Sequence, residues 1–413
     1  MRVLLTTISE PSHLRTMVPL GWALLAAGHE IRVAVTPSLV SAVTTAGLPA
    51  VEVGVDSEIR KTFAGAAAQG DIENPLTDWT RPFADEQEWD ELLLRYQVST
   101  STAFAGFNDG LVDGLVEFAR GFRPDLVIWE PLTYAGPIAA AACGARQVRL
   151  SWMIDIYGAM REVFLELAAE EGEDEDPLAD WMTDHLDRYG AEFDESLING
   201  EFTIDMVPPS MQLTTGLDRV HMRAVPYQGA AVQPRWLDTP PGRPRVCITT
   251  GISWADALGM EPFDLPSALD ALGELDIELV VAVPDSRVDS LTLPGNVVHA
   301  GYVPLQFLLP TCATVVHHSG YGTWANALMA GIPQHITTVV HADQSLRGDA
   351  VARAGSGIYL PSRDFTADRL TAEVGQLISD PGFRTAALAV AEEVRSMDPP
   401  ARAVDILNER MGI

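Results

Sequence analysis

The sequence predicts an α/β protein built as two doubly wound, parallel-sheet domains facing across a cleft, and three observations carry that prediction. Its 413 residues exceed the size at which a single hydrophobic core keeps growing. Short apolar runs alternate with helical stretches from the first residues onward, the rhythm of parallel strands joined by right-handed crossovers. A segment rich in Pro and Gly then divides that alternation into two series.

The first series opens with an apolar strand from Arg2 to Ile8 and a loop from Ser9 to Arg15. A helix with apolar positions at Met17, Leu20, Ala23, Leu24 and Ala27 follows, and Gly28 ends it. Ile31 to Val35 is the second strand; farther on, Leu111 to Arg120 reads as helix, Pro124 to Trp129 as strand and Pro137 to Cys143 as helix. Between Glu166 and Tyr189, the run Glu170, Glu171, Glu173, Asp174, Glu175, Asp176 marks an acidic, helix-prone segment expected as a mobile surface insertion.

Pro226, Gly229, Pro234, Pro240, Pro241, Gly242 and Pro244 make the expected linker, so the boundaries are set at 1–222, 223–244 and 245–396. The second series reads as strands at Val246 to Thr250, Glu278 to Val283, Val297 to His299, Thr314 to His317 and Gln334 to Thr338. The remainder, 397–413, carries a helical pattern from Ala401 to Met411 that is expected to cross back onto the first domain. No fixed repeat argues for a solenoid or propeller.

Composition narrows the function classes. A formal charge of -30 repels nucleic-acid phosphates and anionic membranes, so neither is expected as a partner. Cys143, Cys247 and Cys312 are odd in number, widely spaced and in apolar or small-residue surroundings, so disulfides and a cysteine metal site are not expected. With no signal-peptide pattern and no apolar run of spanning length, the expected location is the cytoplasm.

A phosphate-bearing ligand would have to be held by local donors rather than by that overall field. His317-His318-Ser319-Gly320-Tyr321-Gly322-Thr323 follows an apolar strand and opens a helix, where glycines admit close approach and first-turn amides lack helical partners. Thr249-Thr250-Gly251-Ile252-Ser253 is a second strand-to-helix turn of this kind, so two turns at one sheet edge offer a diphosphate cradle. The plain alternative is an ordinary glycine-bearing turn with incidental histidines.

His13, after the first strand, stands where α/β folds place reactive groups, and an imidazole there can take a proton from a hydroxyl near neutral pH. Glu130, at the end of the strand Pro124 to Trp129, offers a carboxylate to fix its tautomer. A histidine that merely caps the adjacent helix is the competing reading. Asp343-Gln344 supply polar groups for ligand hydroxyls, against the alternative of solvated loop residues. Asp174-Glu175-Asp176 imitates an Asp-x-Asp metal motif, but it lies inside the longer acidic run, so no metal is expected.

These residues resemble the actinobacterial glycosyltransferases that attach deoxysugars to polyketides such as macrolides and anthracyclines, of the GT-B class with two Rossmann-like domains. The likeness covers nearly the whole chain. It runs through Ser12-His13-Leu14, Val18-Pro19-Leu20-Gly21-Trp22-Ala23-Leu24, Ala26-Ala27-Gly28-His29-Glu30 and Arg123-Pro124-Asp125-Leu126-Val127-Ile128-Trp129-Glu130-Pro131. It continues through Arg245-Val246-Cys247-Ile248-Thr249, Gly301-Tyr302-Val303-Pro304, Leu308-Leu309-Pro310-Thr311-Cys312 and the His-His-x-Gly-x-Gly-Thr loop.

The resemblance implies an inverting hexosyl-type transferase that is metal-independent and uses no cofactor beyond its donor substrate, a nucleotide sugar, which it couples to a hydrophobic polyketide acceptor. The first domain would bind acceptor and the second donor. His13 would be the catalytic base and Glu130 its partnering acid; Tyr302 would stack on the nucleotide base. His318, Gly320, Gly322 and Thr323 would hold the diphosphate, within a donor site that also takes in Gly251, Ser253, Val303 and Ser319. Asp343 and Gln344 would contact the donor sugar. Asn326, where uridine-dependent relatives carry a ribose-binding Glu, suits a deoxyribose and hence a dTDP-activated deoxysugar.

Two departures stand out: Ser319 where relatives usually have Gly, and His341-Ala342 directly before Asp343 where macrolide members often have Trp. Trp79, Phe83, Trp89, Trp152 and Met153 are candidates for an apolar acceptor wall, against the ordinary alternative of core. A cytochrome-like auxiliary activator protein, touching the segment from Asp155 to Tyr189, and a homodimer are partners the resemblance leaves open, as it does C-glycosylation. The competing functions are a nucleotide-sugar epimerase and a catalytically degenerate relative that only binds a nucleotide or a partner.

Overall fold

The computed structural model describes residues 1–59, 61–62, 65, 78–80, 87–251, 262–339 and 341–412, so Phe83 and Ser253 lie outside the described residues. Those described fall into two compact units. The first draws on Met1–Thr62, Asn74–Ala230 and Met397–Ile413, and the second is built on Ala231–Ser396.

In the first unit β1 (Arg2–Thr6), β2 (Glu30–Val35), β3 (Ala50–Glu52), β4 (Leu126–Trp129), β5 (Arg146–Ser151), β6 (Thr203–Asp205) and β7 (Arg219–His221) form one sheet in the order β3-β2-β1-β4-β5-β6-β7. Every pairing is parallel. Such a sheet is covered on both faces, which is why Val3, Leu4, Leu5 and Leu126 to Trp129 are apolar without alternation and fully buried. Consecutive strands build outward from β1 on one side, and the chain then returns to place β4 on the other, leaving a topological switch point between β1 and β4.

The second unit repeats that plan with β8 (Arg245–Thr249), β9 (Glu278–Ala282), β10 (Val297–Gly301), β11 (Thr314–His317), β12 (Gln334–Thr338) and β13 (Gly357–Pro361), ordered β10-β9-β8-β11-β12-β13. Its pairings are parallel too. Val246, Ile248, Leu279 and Val281 enter one apolar cluster, while Cys247, Val280 and Ala282 enter another with Cys312. The two clusters cover opposite faces, as the period of two requires, so these cysteines are core groups. All three cysteines are free thiols.

Two sequence expectations need correction. The predicted loop from Ser9 to Arg15 is largely helical, because Pro11 takes the first position of a helix over Pro11–Ala26 and its fixed φ favours that start. The acidic segment from Glu166 to Tyr189 is not a loose insertion: helices Ile156–Glu171 and Pro177–Asp187 bury Met160, Phe164, Leu178, Met182 and Leu186. Arg161 fastens them, reaching Asp176 at 2.5 Å and Glu195 at 2.7 Å, while the run from Glu170 to Glu175 is exposed. Asp176 also caps the second helix by accepting from Ala179 N, a structural use for the last acid of the Asp-x-Asp imitation.

β5, which the sequence pattern does not mark, carries polar residues in its interior. Trp129 Nε1 donates to Gln147 Oε1 at 2.7 Å, and the Arg149 guanidinium reaches Asp155 at 2.5 Å. Internal partners make these polar residues compatible with a central strand. At the C-terminus, helix Pro400–Met411 belongs to the first unit, where Arg410 Nη1 pairs with Asp218 at 2.5 Å and Arg223 N donates to Asp398 O. No described helix is long and apolar enough to cross a membrane.

Candidate functional site

In the first unit the switch point brings together the turns that follow β1 and β4. His13 lies in the first turn of helix Pro11–Ala26, 8% exposed, and its Nδ1 sits 3.0 Å from Glu130 Oε2. Glu130 is fully buried just past β4. Leu132 N donates to its Oε2 at 3.2 Å, and the hydroxyl of Thr133 donates to Oε1. Ile8 N donates to Thr133 Oγ1 at 2.9 Å, so the two turns are tied to each other as well as to the acid.

Burial pushes the Glu130 pKa up, but the His13 charge and these hydrogen bonds outweigh it and hold the carboxyl below its usual range. An ionised carboxylate at Nδ1 favours the tautomer protonated there and leaves the Nε2 lone pair for an external proton. Trp152 meets the imidazole edge-on with ring centroids 4.6 Å apart. This is an imidazole oriented by a carboxylate beside an indole, and the capping alternative fails because no side chain hydrogen-bonds at the helix N-cap.

The remaining acceptor-wall candidates sit elsewhere. Trp79, 4% exposed, packs into an aromatic cluster with Tyr96, Phe104 and Tyr157. Trp89 packs on Phe164, and Met153 is buried. Trp152 alone among the described candidates contacts His13.

In the second unit the equivalent switch point lies between β8 and β11. Gly251 has φ +67°, and a Cβ there would stand 2.7 Å from the His318 ring, so only glycine allows the two turns this approach. A Cβ on Gly320 would meet the same ring at 2.9 Å. Gly320 is the N-cap of helix Tyr321–Ala330, and intrahelical bonding begins with Thr323 and Trp324 N donating to its carbonyl. Amides ahead of that point are those a helix leaves to outside acceptors. The dipole of this helix adds positive potential at the same end.

His317 and His318 add no charge to it. Burial first, then the neighbouring His318, takes His317 down to about 3; burial and then the Arg347 cation take His318 to about 3. His317 is committed to structure: its ring accepts from Ser319 N at 3.1 Å and reaches Gln334 Oε1 at 2.9 Å. Ser319, fully buried, holds φ +68°, a left-handed conformation that explains why glycine suits this position.

Tyr302, 50% exposed, follows β10 with its amide donating to Asp285 Oδ1 at 2.7 Å. Val303 points into the core, so only its backbone is available to a ligand. The Asn326 amide turns back to Gly322 O at 2.6 Å within its own helix. Asp343 and Gln344 are the N-cap and first residue of helix Gln344–Arg353 rather than open loop. Gln344 Oε1 accepts from Thr338 Oγ1 at 2.8 Å, and both Asp343 oxygens are held by Arg347, at 2.6 and 2.7 Å. Sequence reading missed Arg347, although acid and base four apart at a helix start was a signal in plain view.

Comparison with known proteins agrees with this architecture. Residues 22–251 match the family described as erythromycin biosynthesis protein CIII-like, N-terminal domain, and residues 266–410 match its C-terminal domain. The chain is 41% identical to the 10-deoxymethynolide desosaminyltransferase of Streptomyces venezuelae, covering 98% of this chain and 96% of that one. It is 39% identical to the 3-alpha-mycarosylerythronolide B desosaminyl transferase of Saccharopolyspora erythraea, covering 99% and 98%. The crystal structure of glycosyltransferase VinC in complex with dTDP is similar over 100% of both chains, with a TM-score of 0.88 and 35% identity. Two doubly wound parallel-sheet units, together with these likenesses, define a GT-B glycosyltransferase. The chain belongs to the erythromycin biosynthesis protein CIII-like family of these enzymes.

Proposed function

We propose that this enzyme transfers a deoxysugar from a dTDP-activated donor to a hydroxyl of a polyketide-type aglycone, with inversion at the anomeric carbon. The observation that carries the reading is the His13–Glu130 pair, an imidazole oriented by a buried, ionised carboxylate at the carboxyl ends of β1 and β4. His13 Nε2 takes the acceptor proton as the hydroxyl oxygen forms its bond to the anomeric carbon. The bond from that carbon to the phosphate oxygen breaks on the opposite face, and dTDP leaves with the electron pair.

Amides at the start of helix Tyr321–Ala330 receive the leaving diphosphate, with Gly251, Gly322 and Thr323 lining its path and the exposed Tyr302 ring taking the base. Asp343 and Gln344 take the sugar hydroxyls. The step needs no metal, since helix-start dipoles stabilise the leaving charge. dTDP in VinC and the desosaminyl transfer named for two relatives support this donor class. Three free cysteines fit a cytoplasmic enzyme.

The test is mass spectrometry of purified protein with a panel of dTDP-deoxysugars and polyketide aglycones, with and without a cytochrome-like auxiliary protein and with and without EDTA. Glycosylated aglycone with inverted anomeric configuration by NMR, insensitive to EDTA, is the expected result. The auxiliary arm probes the exposed side of residues 156–187, where this reading puts that contact, and ultracentrifugation reads the oligomeric state. Absence of product in every arm defeats the proposal, and epimerised nucleotide sugar formed from donor alone moves the assignment to an epimerase.

A further inference from the structure

One side chain connects the two pieces of the second unit that the proposed mechanism uses separately. Arg347 is 2% exposed and forms a bidentate pair with Asp343, Nη2 to Oδ1 at 2.6 Å and Nε to Oδ2 at 2.7 Å. Its remaining terminal nitrogen, Nη1, donates to the carbonyl of Ser319 at 2.8 Å. The guanidinium lies over the rings of Tyr321 and Trp324, 5.5 and 5.6 Å from their centroids, so the first turn of helix Tyr321–Ala330 packs on it. All three points of attachment use the fork geometry and planarity that separate arginine from lysine.

The partners of this fork sit beside the strained backbone. Only three non-glycine residues among those described have positive φ: Arg123, Ser319 at +68° and Ala342 at +46°. Ser319 is the residue whose carbonyl Arg347 holds, and Ala342 immediately precedes the carboxylate that it grips. Conformations of this kind persist where their surroundings over-determine them. The Asp343 carboxylate balances the buried guanidinium, so what Arg347 adds next to the helix start is a fixed set of donors rather than net charge.

We propose that Arg347 is a positioning residue for donor recognition, setting the Asp343 carboxylate for the sugar and the 317–320 turn for the diphosphate as one unit. The inference rests on the proposed roles of Asp343 and of that turn. It adds that the two are coupled: the turn takes its binding shape only while the fork spans both. Sugar selection and diphosphate affinity therefore share one arginine, although the residues contacting the ligand come from different turns.

The experiment compares wild type with Asp343→Asn, Arg347→Met, Arg347→Lys and the Asp343→Asn/Arg347→Met double variant. Calorimetry gives the Kd for dTDP, steady-state kinetics give kcat/KM for the dTDP-deoxysugar, and circular dichroism checks the fold. Asp343→Asn removes the sugar carboxylate and also breaks the bidentate hold of Arg347, so it is expected to lower kcat/KM about tenfold and to weaken dTDP about threefold. Arg347→Met is expected to weaken dTDP about tenfold and to lower kcat/KM further, and adding Asp343→Asn to it should cost little more. Arg347→Lys retains the charge but loses the fork, so its dTDP affinity should fall between the two.

Strictly additive losses in the cycle, or wild-type dTDP affinity in a folded Arg347→Met, overturn the coupling. Should Arg347→Met fail to fold, Arg347→Lys decides: wild-type Kd and kcat/KM there overturn it equally. Failure of wild-type protein to bind dTDP would instead remove the donor-site reading beneath the inference, an outcome distinct from normal binding that ignores Arg347.

Discussion

The two units place different groups at the same point of the same topology. Each has its switch point between the first and fourth strands of its own sheet, β1 and β4 in one, β8 and β11 in the other. At the first, two side chains of opposite charge type meet inside the protein, His13 on buried Glu130. At the second, two glycine-bearing turns close around a histidine that burial keeps neutral. The contrast teaches that a shared fold fixes where chemistry occurs and leaves its kind to the turns. A side-chain dyad suits proton transfer, whereas backbone amides suit an anion that arrives and departs.

Variants that damage one region and spare the other test this contrast most strongly. His13→Ala should lower kcat by about 10²- to 10⁴-fold while the dTDP Kd, read by calorimetry, stays at its wild-type value. Glu130→Gln should follow with a smaller loss, because the ring remains but its tautomer and imidazolium lose their partner. A parallel rise in Kd for either variant would erase the distinction between the regions. Gly251→Ala is the reciprocal probe: its Cβ would collide with the His318 ring at a φ that strains any side chain. We expect dTDP affinity to fall about tenfold or more, read by the same titration.

Much of this was legible in the sequence, for reasons that differ by residue. Thr314 to His317 and Gln334 to Thr338 are buried on both faces and carry mostly β-branched side chains, so their bounds coincide with β11 and β12. β5 went unassigned because Gln147 and Arg149 interrupt its apolar pattern, and their partners Trp129 and Asp155 emerge only in the fold. His13 and Glu130 stood out through their places after strands, yet 117 positions of sequence hide the 3.0 Å contact that makes them a pair. Asp343 was visible; its commitment to Arg347 depends on a helix start that a loop assignment obscured. The acceptor wall was least legible, since Trp79 and Trp152 are alike in sequence and only packing separates a core indole from one against the base.

A second buried acid sharpens the comparison within the first unit. Asp205 ends β6 near Asp155, Arg219 and Gln212, and burial, reinforced by the like charge of Asp155, pushes its pKa up to about 7 against donors at Val207, Arg219 and Gln212 that pull it down. Glu130, equally buried, is shifted the other way. The native state thus retains a proton on Asp205 between pH 3.8 and about 7 that the unfolded chain gives up. Stability from this group is present at the acid end and falls as pH rises through that window. Asp205→Asn should flatten the decline, gaining about 2.5 kcal/mol relative to wild type on going from pH 5 to pH 8 in urea titrations. An unchanged slope would mean that Asp205 is ionised throughout.

The smallest expected effect concerns Ser319. Ser319 occupies a left-handed conformation, and its buried hydroxyl has no hydrogen-bond partner among the described residues. Both features cost free energy, the first through the Cβ and the second through desolvation. Glycine at this position removes both, although it restores some freedom to the unfolded chain. Ser319→Gly should therefore raise stability by about 1 kcal/mol, measured by urea titration, and leave the dTDP Kd within a factor of about two. If dTDP binding weakens substantially instead, the hydroxyl serves the ligand, and the second unit adds a side-chain donor to a cradle that backbone amides otherwise define.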